Sequence, residues 1–277
     1  MGFEVVQGSP QTVWCPMSDD ITLYVGQIVQ HDGDAPLRGV EPLDVACGVW
    51  NETIYNIPWG VVVGTNRKTP LYSTTYNAEY ITSPTAADPY GGSANDYVGV
   101  EGVWPKGDPL PMVKVAIITP STVIRGPIRC GAIGTGLDLL TVTTSCGGDG
   151  LGMTTNSAQF TPTADNMQTI YCRSGGNAGA YRTTDSTSTT AHTWDWAFRN
   201  TVAVGDTFVM APVRYQGKSA VYFDSQSMWI DGDSAPVLAG TNRWHINVLR
   251  LDLSEANNEY CEFMFGVNHF VSDPTFA

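Results

Sequence analysis

The chain has 277 residues, of which 14 are Lys or Arg and 27 are Asp or Glu, so its formal net charge is −13. This acidic balance repels phosphate backbones and gives no basic surface for nucleic acid. No apolar run approaches the roughly 18 to 20 residues needed to span a bilayer. Because 42% of the residues are hydrophobic and only 15% are charged, the chain is too apolar for disorder. We therefore expect an acidic globular protein that binds neither nucleic acid nor membrane.

Short strands dominate the predicted secondary structure. A Gly followed by Gln or Asp, as at Gly26 and Gly205, predicts a turn with positive φ before a strand. Two candidate helices, Thr163–Ile170 and Ser254–Glu259, are shorter than three turns. We therefore predict an all-β fold with very little helix, whose short antiparallel strands form β-barrel or β-sandwich domains. Apolar runs bounded by Gly, Pro, Asn or Asp predict the strands, in chain order Thr12–Cys15, Ile21–Val25, Gln27–Gln30, Gly60–Gly64, Tyr97–Val103, Met112–Thr119, Leu137–Thr144, Gln168–Cys172, Thr207–Arg214, Ser227–Ile230, Trp244–Leu251 and Tyr260–Phe270.

Three segments bear on how the chain is organised. Arg125–Gly136 gathers several Gly and one Pro between two strand-rich regions, which predicts an N-terminal β domain at 1–127 and an outward-facing C-terminal β domain at 128–277. Ser174–Thr193 is either a surface loop, the favoured interpretation, or a strand edge rich in Gly and Thr. The arm Met1–Pro10 either frays or adds a strand to a neighbouring subunit.

The N-terminus and the cysteines indicate a protein made in a reducing cytoplasm. The segment Met1–Pro10 has no basic stretch followed by an apolar run, so we expect no secretory signal. The cysteines form no CxxC pair and have no histidine at zinc-finger spacing, so we expect reduced thiols that serve as small core residues. Disulfides formed after release from a cell are the alternative. There are six cysteines, Cys15, Cys47, Cys130, Cys146, Cys172 and Cys261.

No motif for catalysis or metal binding stands out. The sequence has no GxSxG elbow, no HExxH and no EF-hand pattern, so neither a nucleophile nor a bound metal is indicated. The strings Asp32–Asp34 and Asp231–Asp233 are interpreted as turn residues, with a loose calcium site as the alternative. We expect no enzyme activity, no cofactor and no metal.

Aromatic residues supply the candidate binding positions. In the triplet Trp194-Asp195-Trp196, strand alternation would place both indoles on one face. Such a face suits a core or an interface, where Trp is favoured. A sugar-stacking platform is the alternative, and a glycosidase with two carboxylates is a third. The candidate interface or binding residues are Phe3, Val5, Trp14, Trp50, Trp59, Trp194 and Trp196.

Three phrases in the N-terminal half carry a resemblance to a known group of proteins. They are LYVGQIVQHDG at Leu23–Gly33, the strand-rich phrase Ile57–Thr82, and Glu101–Ile128 with its Lys-Gly-Asp turn. Over Val5–Pro127 this pattern resembles the β-rich decoration (cement) proteins on the outside of tailed-phage capsids. The resemblance implies a homo-oligomer, often a trimer, that binds the major capsid protein and clamps neighbouring capsomers without catalytic residues. The long spine helix typical of the shell subunit itself is not predicted.

Composition and resemblance together give one functional expectation and one alternative. We expect a virion structural protein on the capsid surface, assembled in the host cytoplasm, where an acidic exterior keeps particles apart. The alternative is a carbohydrate-binding or receptor-binding β-sandwich protein, such as an adhesin or a tail or baseplate component. Its platform would be Trp194 and Trp196.

Overall fold

The computed structural model describes residues 2–8, 10–18, 21–31, 39–45, 57–65, 80–82, 112–131, 134–146, 150–157, 168–184, 190–234, 236, 238 and 243–270. The only helix in these ranges is the 3-10 helix Val267–His269. The described residues thus contain no helix that is long and apolar enough to cross a membrane. The predicted all-β class is confirmed. The strands are β1 (Glu4–Gln7), β2 (Thr12–Pro16), β3 (Thr22–Tyr24), β4 (Ile28–His31), β5 (Val40–Pro42), β6 (Gly60–Thr65), β7 (Tyr80–Thr82), β8 (Met112–Ile117), β9 (Val123–Arg129), β10 (Leu140–Thr144), β11 (Gly152–Thr155), β12 (Thr169–Cys172), β13 (Tyr181–Thr183), β14 (Ala191–Thr193), β15 (Thr207–Ala211), β16 (Gly217–Val221), β17 (Ile230–Asp231), β18 (Trp244–Asp252) and β19 (Tyr260–Phe265).

The strands form three main sheets and one two-stranded sheet. The first sheet has the order β1-β9-β19-β18-β16, with β17 also pairing with β9. The second has the order β13-β12-β15-β10-β11-β14, the third has the order β2-β8-β6-β4-β5, and β3 pairs with β7. The β17–β9 pairing is parallel, whereas the other strand pairs of the described sheets are antiparallel.

The centre of the second sheet is buried on both faces. Along β15, Phe208 and Met210 face one hydrophobic core, whereas Val209 and Ala211 face another. This follows from the alternation of side chains along a strand, and a strand buried on both faces reads as a continuous apolar run. The core reached by Val209 also takes residues from the first and third sheets, so it joins the three sheets.

Two predicted glycine turns are confirmed. Gly26 has φ +89° and Gly205 has φ +94°, a backbone region that side chains with a Cβ rarely adopt. Each turn precedes a strand, β4 after Gly26 and β15 after Gly205.

The segment Ser174–Thr193 contributes two strands, although its composition favours a loop. They are β13 and β14, and they form the two edges of the second sheet. The strand-edge interpretation is therefore correct for these residues. Each strand has only three residues, and short edge strands limit unwanted pairing with other chains.

The N-terminal arm is a strand of its own chain's first sheet. Its strand β1 pairs antiparallel with β9, with Glu4 opposite Arg125. Before it, the buried Phe3 ring packs edge-on against Phe223 and Phe263, at centroid distances of 5.4 and 6.1 Å. The arm is therefore anchored by an aromatic contact as well as by strand pairing.

The Gly- and Pro-containing segment that suggested a domain boundary begins inside a central strand. A Cβ on Gly126 would lie 2.1 Å from a ring carbon of Phe3, so glycine makes room for the aromatic anchor. The Ile128 N–H donates to the Glu259 carbonyl on the β19 side. Because successive N–H groups of a strand point to opposite edges, the Pro127 nitrogen points away from β19, so proline costs no hydrogen bond between β9 and β19. Strand β9 pairs with β1 and with β19, hence with both parts of the chain. The division into 1–127 and 128–277 stays a prediction.

Candidate functional site

The predicted binding residues of the N-terminal arm lie inside the protein. Phe3 is buried, and its backbone N–H donates to the Gly26 carbonyl at 2.7 Å. Val5 is partly buried and packs against the same core. In this chain both side chains hold the arm in place, so neither is available to a partner while the arm is docked.

Two tryptophans of the N-terminal half belong to the third sheet. Trp14 lies on β2, the edge strand of that sheet, opposite Lys114, and 50% of it is exposed. Trp59 is half-buried against the core of the third sheet, with its ring 4.4 Å from that of His31. Trp50 lies outside the described residues. Trp14 is therefore an accessible aromatic residue, and Trp59 is mainly a packing residue.

The two tryptophans of the Trp-Asp-Trp triplet point in different directions. Strand β14 ends at Thr193, Trp194 makes an isolated antiparallel bridge with Thr184, and the chain then bends at Asp195 and Trp196 instead of continuing as a strand. Trp194 is only 2% exposed, and its indole N–H donates to the Gly150 carbonyl at 3.1 Å. Trp196 is 78% exposed. The two indoles therefore do not form the shared platform that strand alternation suggested.

The exposed indole of Trp196 stands on a turn that is fixed at both ends, which we call the Trp196 turn (residues 194–198). On either side of it, Trp194 and Phe198 are buried in the core of the second sheet, with their rings 5.0 Å apart. Because both flanking side chains are anchored, the intervening residues have little freedom to fold the indole back onto the protein.

Arg182 of the edge strand β13 locks the backbone of this turn. Its Nε donates to the Trp196 carbonyl and its Nη2 to the Ala197 carbonyl, both at 2.9 Å. The guanidinium also lies over the Phe198 ring, 4.5 Å from the centroid. One planar cation thus satisfies two carbonyls and covers an aromatic face, a geometry that lysine cannot reproduce.

The chain following the turn is fixed as well. The Asn177 side chain donates to the Asn200 carbonyl and accepts from the Asn200 N–H, both at 2.9 Å. Val202 is fully buried, whereas Val204 is exposed. The surface around Trp196 is therefore a well-held loop that presents apolar side chains to solvent.

A buried histidine lies close in sequence to the turn. His192 on β14 is fully buried, and its Nε2 is 3.0 Å from the Thr155 hydroxyl. Burial lowers the pKa of His192 to about 4, so the ring is neutral at pH 7. A neutral, fully buried imidazole packs the sheet and does not reach a ligand on the surface.

The buried cysteines of the described residues are packing groups as well. Burial raises the pKa of the Cys15 and Cys172 thiols to about 11, which makes them poor nucleophiles. Five cysteines are free thiols, of which Cys146 is half-buried, and Cys47 lies outside the described residues. In the part of the chain that the structure describes, no three His, Cys, Asp or Glu side chains are grouped to hold a metal ion.

Comparisons with protein families, with curated proteins and with solved structures gave no match to this chain. Sequence reasoning found Trp196 but missed Arg182, which holds it. The two are 14 residues apart, and the bond joins a side chain to a backbone carbonyl, so no local motif marks it.

Proposed function

We propose that this chain is a virion structural protein, a decoration subunit that binds the outside of a tailed-phage capsid. The observation that carries the proposal is the Trp196 turn, which presents one mostly exposed indole on a fixed backbone. The resemblance of Leu23–Gly33, Ile57–Thr82 and Glu101–Ile128 to decoration proteins supports the choice of partner, the major capsid protein. The resemblance also favours a homotrimer.

A fixed, exposed tryptophan suits an attachment site. Trp is enriched among the few residues that dominate binding energy at protein interfaces. Association costs free energy because side chains and loops are ordered at the interface. Arg182 and the buried neighbours Trp194 and Phe198 have already ordered this turn. Most of the apolar area of Trp196 then remains available for binding.

Co-assembly with a shell tests the proposal. The chain is mixed with empty shells of the major capsid protein encoded in the same genome, and bound protein is measured by co-sedimentation. We expect the wild-type chain to sediment with the shells and Trp196→Ala to lose at least tenfold in affinity. The matched control is Trp14→Ala, which removes another exposed indole from a different sheet and should bind like the wild type. No binding by the wild-type chain would reject the proposal, and equal loss in both variants would reject Trp196 as the attachment residue.

A carbohydrate-binding or receptor-binding protein is the second candidate, and it rests on the same exposed indole. A single tryptophan can stack on the apolar face of one sugar ring, although the buried Trp194 cannot extend that platform. A glycan array distinguishes the candidates. Binding that disappears in Trp196→Ala and persists in Trp14→Ala would favour carbohydrate recognition over shell attachment.

A further inference from the structure

The outward face of the first sheet carries a row of alternating charges. The opposite face, with Ile124 and Phe263, is buried in the central core. Four strands contribute one residue each to the row, which we call the charge ladder. Arg250 on β18 lies opposite Glu262 on β19. Glu262 lies opposite Arg125 on β9, and Arg125 lies opposite Glu4 on β1. The signs across the sheet are therefore plus, minus, plus, minus.

Direct bonds hold the middle of the ladder in place. Arg125 donates to Glu262 at 2.6 Å and to Glu4 at 2.9 Å, and the hydrogen bond that it donates to Glu262 raises the pKa of the Arg125 guanidinium above its usual value. The Tyr260 ring lies under two guanidinium groups, 4.9 Å from that of Arg125 and 5.6 Å from that of Arg250. The charged heads therefore have defined positions, although they lie on an open face.

The two ends of the ladder are its most accessible parts. The Glu262 side chain is 17% exposed, whereas the side chains of Arg250 and Glu4 are 57% and 54% exposed. Arg250 has one further carboxylate near it, Asp252 at 3.5 Å. Leu249, next to Arg250, is also exposed. The charges of Arg250 and Glu4 can therefore bind another molecule without leaving a buried opposite charge unpaired.

We propose that the charge ladder is a two-fold contact with a second copy of this chain. A rotation axis parallel to the strands, passing between β9 and β19, stacks two such faces and reverses the order of the strands. Arg250 then faces Glu4 of the partner subunit, and Glu262 faces Arg125 of the partner subunit. Every ladder position meets the opposite charge, which is the self-complementarity that a two-fold interface requires.

The size of the face sets the strength of the contact. The four strands of the ladder, spaced about 4.8 Å apart and about six residues long, give a face of roughly 400 Å². This is smaller than the about 800 Å² that each partner contributes to a standard interface. The contact is therefore weak, and because its charges are exposed it weakens further as salt screens them. Such a contact forms at high local concentration, as in a surface layer.

This inference is independent of the proposed shell attachment. The ladder lies on the first sheet, whereas the Trp196 turn follows β14 of the second sheet. If another contact forms a trimer, the ladder pairs two trimers, so losing it halves the measured mass in either case. A failed shell-binding test would not contradict the two-fold contact, and a failed association test would not contradict shell attachment.

A charge-reversal experiment tests the two-fold contact. Arg250 and Glu4 lie three strand spacings apart, about 14 Å, so they do not touch within one chain. The variants Arg250→Glu and Glu4→Arg each place like charges at both ends of the stacked ladders. We expect the wild-type mass to double with concentration in low salt, measured by sedimentation equilibrium from micromolar to millimolar. Each variant alone should show at least tenfold weaker association.

Mixing the two variants gives the decisive result. In a mixed pair, Glu at position 250 of one copy faces Arg at position 4 of the other, and the second end keeps Arg250 facing Glu4. We therefore expect the equimolar mixture, and also the double variant Arg250→Glu/Glu4→Arg, to regain wild-type association. Because the two sites do not contact each other within a chain, this rescue can arise only between subunits.

Matched controls separate the ladder from general charge effects. Arg199→Glu makes the same charge change as Arg250→Glu at an exposed position in the loop after the Trp196 turn, away from the first sheet, and Glu255→Arg matches Glu4→Arg in the β18–β19 turn. Both should associate like the wild type, and circular dichroism should show all variants folded. A wild-type mass that does not change with concentration would overturn the proposal. Weaker association of the control variants, or an equimolar mixture that stays dissociated, would overturn it as well.

Discussion

The Trp196 turn and the charge ladder present two opposite kinds of surface on one chain. The Trp196 turn exposes a single apolar side chain, and its backbone is fixed by buried aromatic neighbours and by Arg182. The ladder exposes four charges that are fixed by one another and by Tyr260. Burial of apolar area is insensitive to moderate salt, whereas exposed ion pairs are screened by it. The chain thus has one surface suited to firm attachment and one suited to weak, reversible pairing.

The largest expected effect separates the buried tryptophan from the exposed one. Trp194→Ala leaves a cavity in the core of the second sheet and should lower the free energy of unfolding by about 3–5 kcal/mol. Trp196→Ala removes a side chain that is mostly in water and should change that free energy by no more than about 0.5 kcal/mol. Urea denaturation measures both. Equal losses in the two variants would mean that Trp196 packs inside the protein and is not held out for a partner.

The next effect is acid destabilisation, which arises from two buried histidines, His192 in the second sheet and His269 in the 3-10 helix after β19. Burial lowers the pKa of His192, and that of His269, from 6.5 to about 4. Between these values the unfolded chain binds protons that the folded chain does not, so stability is lost as the pH falls. Each histidine should cost about 2 kcal/mol between pH 7 and pH 5. Urea denaturation at both pH values measures the loss, and His269→Gln should remove about half of it.

A smaller effect should follow from loosening the Trp196 turn. Arg182→Ala removes both donors to the turn and should cost about 1–3 kcal/mol of stability. The affinity of this variant for the shell should also fall, because Trp196 is then no longer held in place before binding. Arg182→Lys keeps the charge but not the paired geometry, so it should recover only part of the affinity. If Arg182→Ala binds shells like the wild type, the fixed turn is not needed for attachment.

The smallest effect is expected at the exposed end of the ladder. Glu4→Gln removes an ion pair with Arg125 in which both side chains are well exposed, and such pairs contribute about 0–1 kcal/mol to stability. The contrast is Glu259→Gln, because Glu259 is fully buried between Arg129 and Arg173. Breaking a buried pair costs about 3–5 kcal/mol. Thermal unfolding compares the two, and a similar loss in both would mean that Glu4 is much more buried than the structure shows.

Much of the fold could be predicted because strand signals are local. Alternation of side chains and turns such as those at Gly26 and Gly205 need only a few neighbouring residues. Strand β9 also carries linker signals in the sequence, because Gly126 and Pro127 are residue types typical of linkers. Only the Phe3 ring, more than 120 residues away, explains why glycine is needed there.

The candidate site could be predicted only in part for the same reason. The Trp-Asp-Trp triplet is visible in the sequence, but the end of β14 at Thr193 decides which indole is exposed. The ladder has no sequence signal at all. Its four members come from strands that are far apart in the chain, and only the pairing register brings Arg250, Glu262, Arg125 and Glu4 into one row.

A cryo-electron microscopy reconstruction of shells saturated with the wild-type chain tests the central claim most directly. The proposal predicts added density on the outer surface of the shell, with the turn after β14 in contact with the major capsid protein and the indole of Trp196 buried between them. Shells without added density, or a bound chain whose Trp196 still faces solvent, would contradict it.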